Sequence, residues 1–442
     1  MSGKLPTVAV VGRPNVGKST FFNRVVGRRV AIVDDRPGVT RDCNFARADW
    51  AGRHFFIVDT GGVSERSEQR AVRRQTLAAV QEADVILFLV DGKAGPHPMD
   101  EPVAEILRKK QKPILLAVNK LDNLPDDTAW MDFWSLGIGE PVPVAAASGK
   151  GMGDLLDRLL AALPDAAGDQ GIEDEIRVAV VGRPNVGKSS LVNRILGEER
   201  VVVDEAAGTT RDPVDRPLTY HGKRLVFVDT AGLRRQSRVK DSLEYYSALR
   251  TVRALDGADV AVVMLDAHDG LGIQDLRVAE TAWEAGCGVV LVVNKWDLVE
   301  KDSRTASDFE KHACGRAPFL DCVPFLFASA LTGQRVHKAL GLVLQVQEQR
   351  LRRIATHEVN KALAALVGRQ PPPRSRGRQV KLRYGTQAEA EPPTFVLFSN
   401  LPREIPEHYI RYVVNGFRER WGFLGSPIRI QLRASGAASR SV

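Results

Sequence analysis

Val8-Ala9-Val10-Val11-Gly12-Arg13-Pro14-Asn15-Val16-Gly17-Lys18-Ser19 recurs letter for letter as Val178-Ala179-Val180-Val181-Gly182-Arg183-Pro184-Asn185-Val186-Gly187-Lys188-Ser189. Each copy opens on four apolar residues, mostly β-branched, the composition of a buried strand. Gly-x-x-x-x-Gly-Lys-Ser follows, at Gly12–Ser19 and Gly182–Ser189. In the first copy the helix-compatible run Ser19–Val26 comes next, closed by Gly27. Strand, glycine-rich turn and helix N-terminus, in that order, make a phosphate-binding loop. The glycines Gly12, Gly17, Gly182 and Gly187 let backbone N–H groups wrap the anion, and the helix presents its positive end. Lys18 and Lys188 then reach the β/γ-phosphates, Ser19 and Ser189 offer hydroxyls to Mg²⁺, and Thr20 and Ser190 add nucleotide contacts in the same turn.

The repeat extends beyond the loop. Thr40-Arg41-Asp42 returns as Thr210-Arg211-Asp212 and Asp59-Thr60 as Asp229-Thr230, each 170 positions on. Asn119-Lys120-Leu121-Asp122 returns as Asn294-Lys295-Trp296-Asp297, 175 positions on. A repeat this long is a duplicated domain of about 165 residues, not a solenoid unit. Between the copies, Leu163-Pro164-Asp165-Ala166-Ala167-Gly168-Asp169-Gln170-Gly171 is small, acidic and broken by Pro and Gly, as a linker is. Strand-like runs at Phe55–Val58, Val85–Val90 and Ile114–Val118 alternate with helix-like segments such as Glu101–Lys110. This alternation gives an α/β fold, a mostly parallel sheet with helices on both faces. Ligands then bind at the carboxyl ends of the strands, where these motifs fall. The expected division is two tandem P-loop domains at 1–165 and 176–348, a linker at 166–175, an α+β domain at 349–434 and a disordered tail at 435–442.

P-loops serve ATP as well as GTP, and Asn119–Asp122 and Asn294–Asp297 decide the base. Each tetrapeptide follows an apolar run, Ile114–Val118 or Val289–Val293. The carboxylate of Asp122 or Asp297 accepts two hydrogen bonds, from guanine N1–H and from the exocyclic amine. Adenine has no such pair of donors and would leave the carboxylate unpaired. Asn119, Lys120, Asn294 and Lys295 complete the base-side element. Asp59-Thr60-Gly61-Gly62 and Asp229-Thr230-Ala231-Gly232 fit Asp-x-x-Gly. There Asp59 and Asp229 reach Mg²⁺ through water, and Gly62 and Gly232 present N–H groups to the γ-phosphate. Thr40 and Thr210 lie between loop and Asp-x-x-Gly, where a switch hydroxyl covers Mg²⁺ and is released when the γ-phosphate leaves. A lone Thr is more often a surface residue, but the repeated Thr-Arg-Asp favours the switch. Lys18, Thr40, Gly62, Lys188, Thr210 and Gly232 are thus the residues expected to act on the transferred phosphoryl group. Hydrolysis of GTP to GDP and phosphate depends on positioning and charge and needs no covalent nucleophile.

Charge bounds the partners. The net charge is +8, yet residues 351–442 hold 16 Lys and Arg against 6 Asp and Glu, so the preceding 350 residues sum to about −2. A basic C-terminal third on a near-neutral body points to nucleic acid; the alternative is an asymmetry that only aids solubility. No apolar run approaches the roughly 20 residues of a membrane span. Met1–Pro6 leads into a strand-like run without a signal-peptide core, so a cytoplasmic protein with no membrane partner is expected. Cys43, Cys287, Cys314 and Cys322 show no Cys-x-x-Cys spacing, and a zinc site or disulfide framework is not expected. His54, His221 and His268 read as turn or surface residues.

The C-terminal region reads Glu358–Val367 helix, Val380–Tyr384 and Thr394–Phe398 strands, Glu407–Trp421 helix and Ile428–Leu432 strand, an αββαβ order. Arg369-Gln-Pro-Pro-Pro-Arg374-Ser-Arg376-Gly-Arg378 is either a phosphate-contacting segment or a solvated basic loop. Gly422-Phe-Leu-Gly425 has the letters of an RNA-clamping Gly-x-x-Gly loop. It joins a helix to a strand instead of two helices, and is not read as the clamp.

These motifs together resemble the bacterial tandem-GTPase family called Der or EngA. The resemblance covers nearly the whole chain. It runs through both Gly-Arg-Pro-Asn-Val-Gly-Lys-Ser loops, Pro37-Gly38-Val39-Thr40-Arg41-Asp42 and Asn294-Lys295-Trp296-Asp297-Leu298-Val299. It continues in Lys381-Leu382-Arg383-Tyr384, Pro392–Phe398 and Gly422–Arg429. It implies a KH-like third domain and a cytoplasmic, monomeric GTPase that binds GTP/GDP with Mg²⁺. It also implies a role in assembly of the large ribosomal subunit through rRNA, with no DNA partner. Where many GTPases carry a water-orienting Gln, this chain has Val63 and Leu233. The resemblance implies that K⁺, held in part by Asn15 and Asn185, supplies transition-state charge; the alternative is that each Asn only shapes its loop. The family's guanine-side Ser-Ala is Ser329-Ala330 in the second copy, but Ala145-Ala146 in the first, and Gly62–Arg74 departs from the family pattern. Other readings are a GTPase of tRNA modification or of a membrane-linked process, and a scaffold with one weakly hydrolysing site.

Overall fold

The computed structural model describes residues 5–26, 45–59, 77, 80, 83–110, 112–122, 128–164, 175–197, 202–203, 216–228, 251–300, 302–374 and 378–434. Those up to 164 belong to one compact unit and those from 175 onward to a second. The expected linker core and the C-terminal tail lie outside the described residues.

In the first unit, β1 (Thr7–Val11), β3 (Arg53–Asp59), β4 (Val85–Asp91), β5 (Ile114–Asn119) and β6 (Pro141–Pro143) run parallel, while β2 (Phe45–Trp50) is antiparallel at the edge. The order is β2-β3-β1-β4-β5-β6. All of β4 is buried, as befits a central strand covered on both faces. The two-residue period of the strands divides the core in two. Val8, Val10 and Leu87 pack on one face with Phe21, Leu155 and Leu159, and Ala9, Val11 and Phe88 on the other with Val103 and Leu107. Each large side chain so buried contributes about 1.5–3 kcal/mol. The edge strand was not anticipated, because Phe45-Ala-Arg-Ala-Asp-Trp50 alternates weakly. It is fixed by a two-residue turn in which Ala51 (φ 48°) and Gly52 (φ 79°) are both left-handed, as in a type I′ hairpin.

The second unit repeats this plan. Its seven-stranded order is β13-β12-β11-β7-β10-β9-β8, with β7 (Glu175–Gly182), β10 (Lys223–Val228), β11 (Val260–Asp266), β12 (Gly288–Asn294) and β13 (Phe325–Phe327) parallel. The pairs β8 (Val202–Val203) with β9 (Arg216–Tyr220), and β9 with β10, are antiparallel. Helices Lys18–Val26 and Lys188–Leu196 follow β1 and β7 directly.

The C-terminal region has the expected αββαβ order: helix Thr356–Arg369, β14 (Leu382–Ala390), β15 (Pro393–Ser399), helix Glu407–Trp421 and β16 (Arg429–Ala434). β14 pairs antiparallel and β16 parallel with β15. β14 runs beyond the expected Val380–Tyr384 because Gln387 and Glu389 interrupt its apolar pattern while its backbone stays paired to β15. Phe395 anchors the core against Phe417, Trp421 and Phe423. Gly422–Gly425, rejected above as an RNA clamp, joins this domain to the preceding one. Gly425 accepts a hydrogen bond from the Val289 N–H (2.7 Å) and donates to the Cys322 carbonyl (2.6 Å). Beside it the Arg418 guanidinium lies 5.2 Å from the Trp283 ring centroid, and buried Arg350 pairs with Asp259 at 3.0 Å.

Candidate functional site: two nucleotide-binding constellations

In each domain the phosphate loop leaves a central strand and enters a helix, and its glycines are obligatory for contact reasons. Gly12 has φ 152° and Gly17 φ 98°. A Cβ at Gly12 would lie 2.2 Å from the Leu89 carbonyl oxygen, and one at Gly17 2.4 Å from Asn119 Nδ2. The second loop repeats this, with a Cβ at Gly182 2.5 Å from the Met264 oxygen and one at Gly187 2.3 Å from Asn294 Nδ2.

The loop lysines fold back over their own loops. Lys18 Nζ donates to the carbonyls of Gly12 and Arg13, both at 2.9 Å. Lys188 Nζ donates to Gly182 (2.8 Å) and Arg183 (2.6 Å). Burial lowers the pKa of Lys18; the Asp59 carboxylate opposes this and Arg13 adds to it. Burial pushes Lys188 down to about 8. Both ammonium groups are poorly solvated and would gain from a phosphate anion. Ser19 Oγ donates to Asp59 Oδ2 at 2.7 Å. Two residues 40 positions apart, both expected at Mg²⁺, thus meet at the carboxyl end of β3. Thr20 and Ser190 are exposed in the first helical turn.

Asn119 and Asn294 do something the motif alone did not disclose. Asn119 Nδ2 donates to the Val16 carbonyl (2.8 Å), while its Oδ1 accepts the Ala146 N–H (2.9 Å). Asn294 makes the same pair, to the Val186 carbonyl (2.7 Å) and from the Ala330 N–H (2.8 Å). One buried amide therefore ties the phosphate loop to the base-side loop. The match sets Ala145-Ala146 opposite Ser329-Ala330. Ser329 Oγ accepts the Thr332 N–H at 3.1 Å, a brace that Ala145 cannot supply. Lys120 and Lys295 are left-handed (φ 72° and 61°). Lys120 reaches the Asn15 carbonyl and Asp91 Oδ2, each at 2.6 Å, and Lys295 reaches Asp266 Oδ2 at 2.5 Å. Burial pushes the Asp91 and Asp266 carboxyls up, but these lysines, together with backbone N–H donors of the following turn, outweigh it and hold both below the ordinary value.

Asp122 and Asp297 end the same turns. Asp297 Oδ1 is enclosed and carries no hydrogen bond among the described residues. Asn15 and Asn185 are exposed and left-handed (φ 66° and 64°), and an Asn amide oxygen is a hard donor of the kind K⁺ takes. Ser19 and Asp59 offer the oxygen donors that suit Mg²⁺. Thr40, Gly62, Thr210, Asp229 and Gly232, with Val63 and Leu233, lie outside the described residues.

Sequence reading missed two further pairs. Arg13 of the first loop faces fully buried Asp100 at 3.5 Å, and Arg183 of the second holds fully buried Asp275 at 2.7 Å. Each carboxylate also caps a backbone N–H, of His97 and of Gly272. The signal was present: Asp91 and Asp266, like Asp100 and Asp275, fall on the 175-residue offset of the repeat.

A family model described as 50S ribosome-binding GTPase matches residues 7–120 and again 177–295, and one described as the C-terminal KH-domain-like domain of EngA bacterial GTPase enzymes matches 353–433. A curated protein named GTPase Der from Gemmatimonas aurantiaca is 57% identical over 433 residues, 97% of this chain and 99% of its own length. The chain belongs to the GTPase Der family. Der proteins of Heliobacterium modesticaldum and Geobacillus kaustophilus match at 49% and 47% identity, each over 97% of this chain and 98% and 99% of their own. As a Der GTPase it is a GTP-hydrolysing enzyme with two GTPase domains and a KH-like domain. No described helix is long and apolar enough to cross a membrane.

Proposed function

We propose that the chain is a two-site GTP switch that acts in assembly of the large ribosomal subunit through contact with rRNA. The observation that supports this reading is the coexistence of two loop-to-base constellations, each tied by a buried Asn, with a basic KH-like domain. At each site Lys18 or Lys188 holds the β/γ-phosphates, Gly12 and Gly17 or Gly182 and Gly187 let the backbone wrap them, and Asp122 or Asp297 reads guanine. Ser19, Thr40 and Asp59, and Ser189, Thr210 and Asp229, would hold Mg²⁺, which would neutralise charge on the phosphates. Gly62 and Gly232 present N–H groups to the γ-phosphate, and its loss frees the Thr40 and Thr210 segments. Val63 and Leu233 stand where many GTPases carry a water-orienting Gln, and, as the family resemblance implies, the amide oxygens of Asn15 and Asn185 would help hold K⁺, which would supply positive charge to the transition state.

The KH-like surface supports the polyanion reading. Arg369, Arg374, Arg378, Lys381 and Arg383 are all exposed, and Tyr384 beside them is 44% exposed. Asn400 braces the backbone beside Lys381, accepting the Lys381 N–H (2.7 Å) and donating to the Gln379 carbonyl (2.9 Å). Exposed guanidinium groups near an exposed aromatic ring suit RNA phosphates and unstacked bases. The test is co-sedimentation with purified ribosomal subunits in a non-hydrolysable GTP analogue and in GDP. Nucleotide-dependent association with the large subunit is expected, and no large-subunit association in either nucleotide overturns the reading.

A further inference from the structure

The two base-reading carboxylates stand in different surroundings. In the first site Lys93 Nζ lies 2.7 Å from Asp122 Oδ2. The Lys93 main chain is placed on this side of the site by its N–H, which donates to Asp91 Oδ1 at 3.0 Å. A second lysine, Lys150, donates to the Asp122 backbone carbonyl at 2.8 Å. In the second site the same scaffold carries different side chains. The residue whose N–H donates to Asp266 Oδ1 (3.0 Å) is His268, and its ring faces Asp269 at 3.7 Å instead of the base-reading turn. Lys150 corresponds to Gln334, since the Ala145 N–H meets the Lys150 carbonyl as the Ser329 N–H meets that of Gln334. Asp297 Oδ1 carries no hydrogen bond among the described residues.

Guanine needs both oxygens of its carboxylate, one for N1–H and one for the exocyclic amine. In the first site an ammonium group claims one of them. We propose that Lys93 competes with the base for Asp122, so that it sets a lower and salt-sensitive affinity for guanine nucleotides at the first site, while Asp297 reads the base uncontested. The inference rests on Asp122 and Asp297 being the base-reading residues. Because the pair is solvent-exposed, its effect is modest and falls with ionic strength.

The test uses the full chain carrying Asp297→Asn, so that guanine nucleotides report the first site. GDP and IDP dissociation constants are measured for this chain and for the same chain with Lys93→Ala or Lys93→His, at low and high salt. Either Lys93 substitution is expected to tighten GDP binding about two- to five-fold at low salt, with the gain largely lost at high salt. The preference for GDP over IDP, which lacks the exocyclic amine, is expected to rise as Oδ2 is released. Unchanged or weaker GDP binding, or a gain that persists at high salt, overturns the proposal. Adding Asp122→Asn separates the two layers. If that change leaves first-site GDP binding intact, the base reading itself has failed. If it abolishes binding while both Lys93 substitutions have no effect, only the competition has failed.

Discussion

Replacing Asn294 by Ala isolates the buried amide that joins phosphate loop to base loop. The side chain is 3% exposed and satisfies the Val186 carbonyl at 2.7 Å and the Ala330 N–H at 2.8 Å. Truncation leaves two buried backbone groups without partners, at about 1–3 kcal/mol each, or about 2–6 kcal/mol together. Asn294→Asp keeps the acceptor for Ala330 but sets a carboxylate oxygen against the Val186 carbonyl and adds a buried charge, so it is expected to lose at least as much as Asn294→Ala. Part of the loss appears as lowered stability of the second domain and part as weaker binding, because nucleotide must re-form the junction. With Lys18→Ala silencing the first site, calorimetric GDP titration reads the second site directly. A loss of about 2 kcal/mol in binding corresponds to about 30-fold in Kd. The parent is expected to bind tightest and melt highest, with Asn294→Ala below it and Asn294→Asp no better than Asn294→Ala. An Ala variant that binds GDP within about threefold of its parent and melts at the parent's temperature would refute the bridging role.

Further expectations follow from the same geometry. Arg183→Ala strands the buried Asp275 carboxylate and is expected to cost about 3–5 kcal/mol of second-domain stability, read by chemical denaturation. Arg13→Ala, whose pair is looser at 3.5 Å, should cost less; equal losses would show that pair geometry does not matter here. Lys188 must be protonated to hold phosphate, and its pKa of about 8 sets a window. Below pH 8 the charge is in place, whereas above it binding must take up a proton. GDP affinity at the second site, measured without Mg²⁺, should therefore be flat up to about pH 8 and fall by up to about tenfold per unit above it. A profile that stays flat well above that pH would contradict the assigned contact. Turnover should rise when K⁺ replaces Na⁺ and lose that response with Asn15→Ala and Asn185→Ala together; equal rates in the two salts would remove K⁺ from the mechanism.

The fold was legible where residues are buried on both faces. β4 and β11 are unbroken apolar runs, and the loop motifs after β1 and β7 fixed the order of strand and helix. The edge strands were not legible, because Phe45–Trp50 and Arg216–Tyr220 owe their place to left-handed turns at Ala51-Gly52 and His221-Gly222 more than to any apolar period. At the site, motif spacing located Lys18, Ser19, Asn119 and their counterparts but not what Asn119 holds. A motif names a position, whereas a bridge needs two partners from distant segments. Arg13, Asp100, Arg183 and Asp275 were hidden for the same reason, and only the offset of the repeat marked them. The Gly422–Gly425 contacts with Val289 and Cys322 could not be read from sequence, since backbone hydrogen bonds between domains leave no trace in side-chain composition.

The most direct measurement is the nucleotide stoichiometry of four chains: the parent, Asp122→Asn, Asp297→Asn and the double variant. Xanthine carries a carbonyl where guanine has its exocyclic amine, and an Asn amide can donate to that carbonyl. The parent should bind two GDP per chain, each single variant one GDP and one XDP, and the double variant two XDP. A parent that binds one GDP, or variants that keep two GDP and gain no XDP, would contradict the existence of two independent guanine-reading sites.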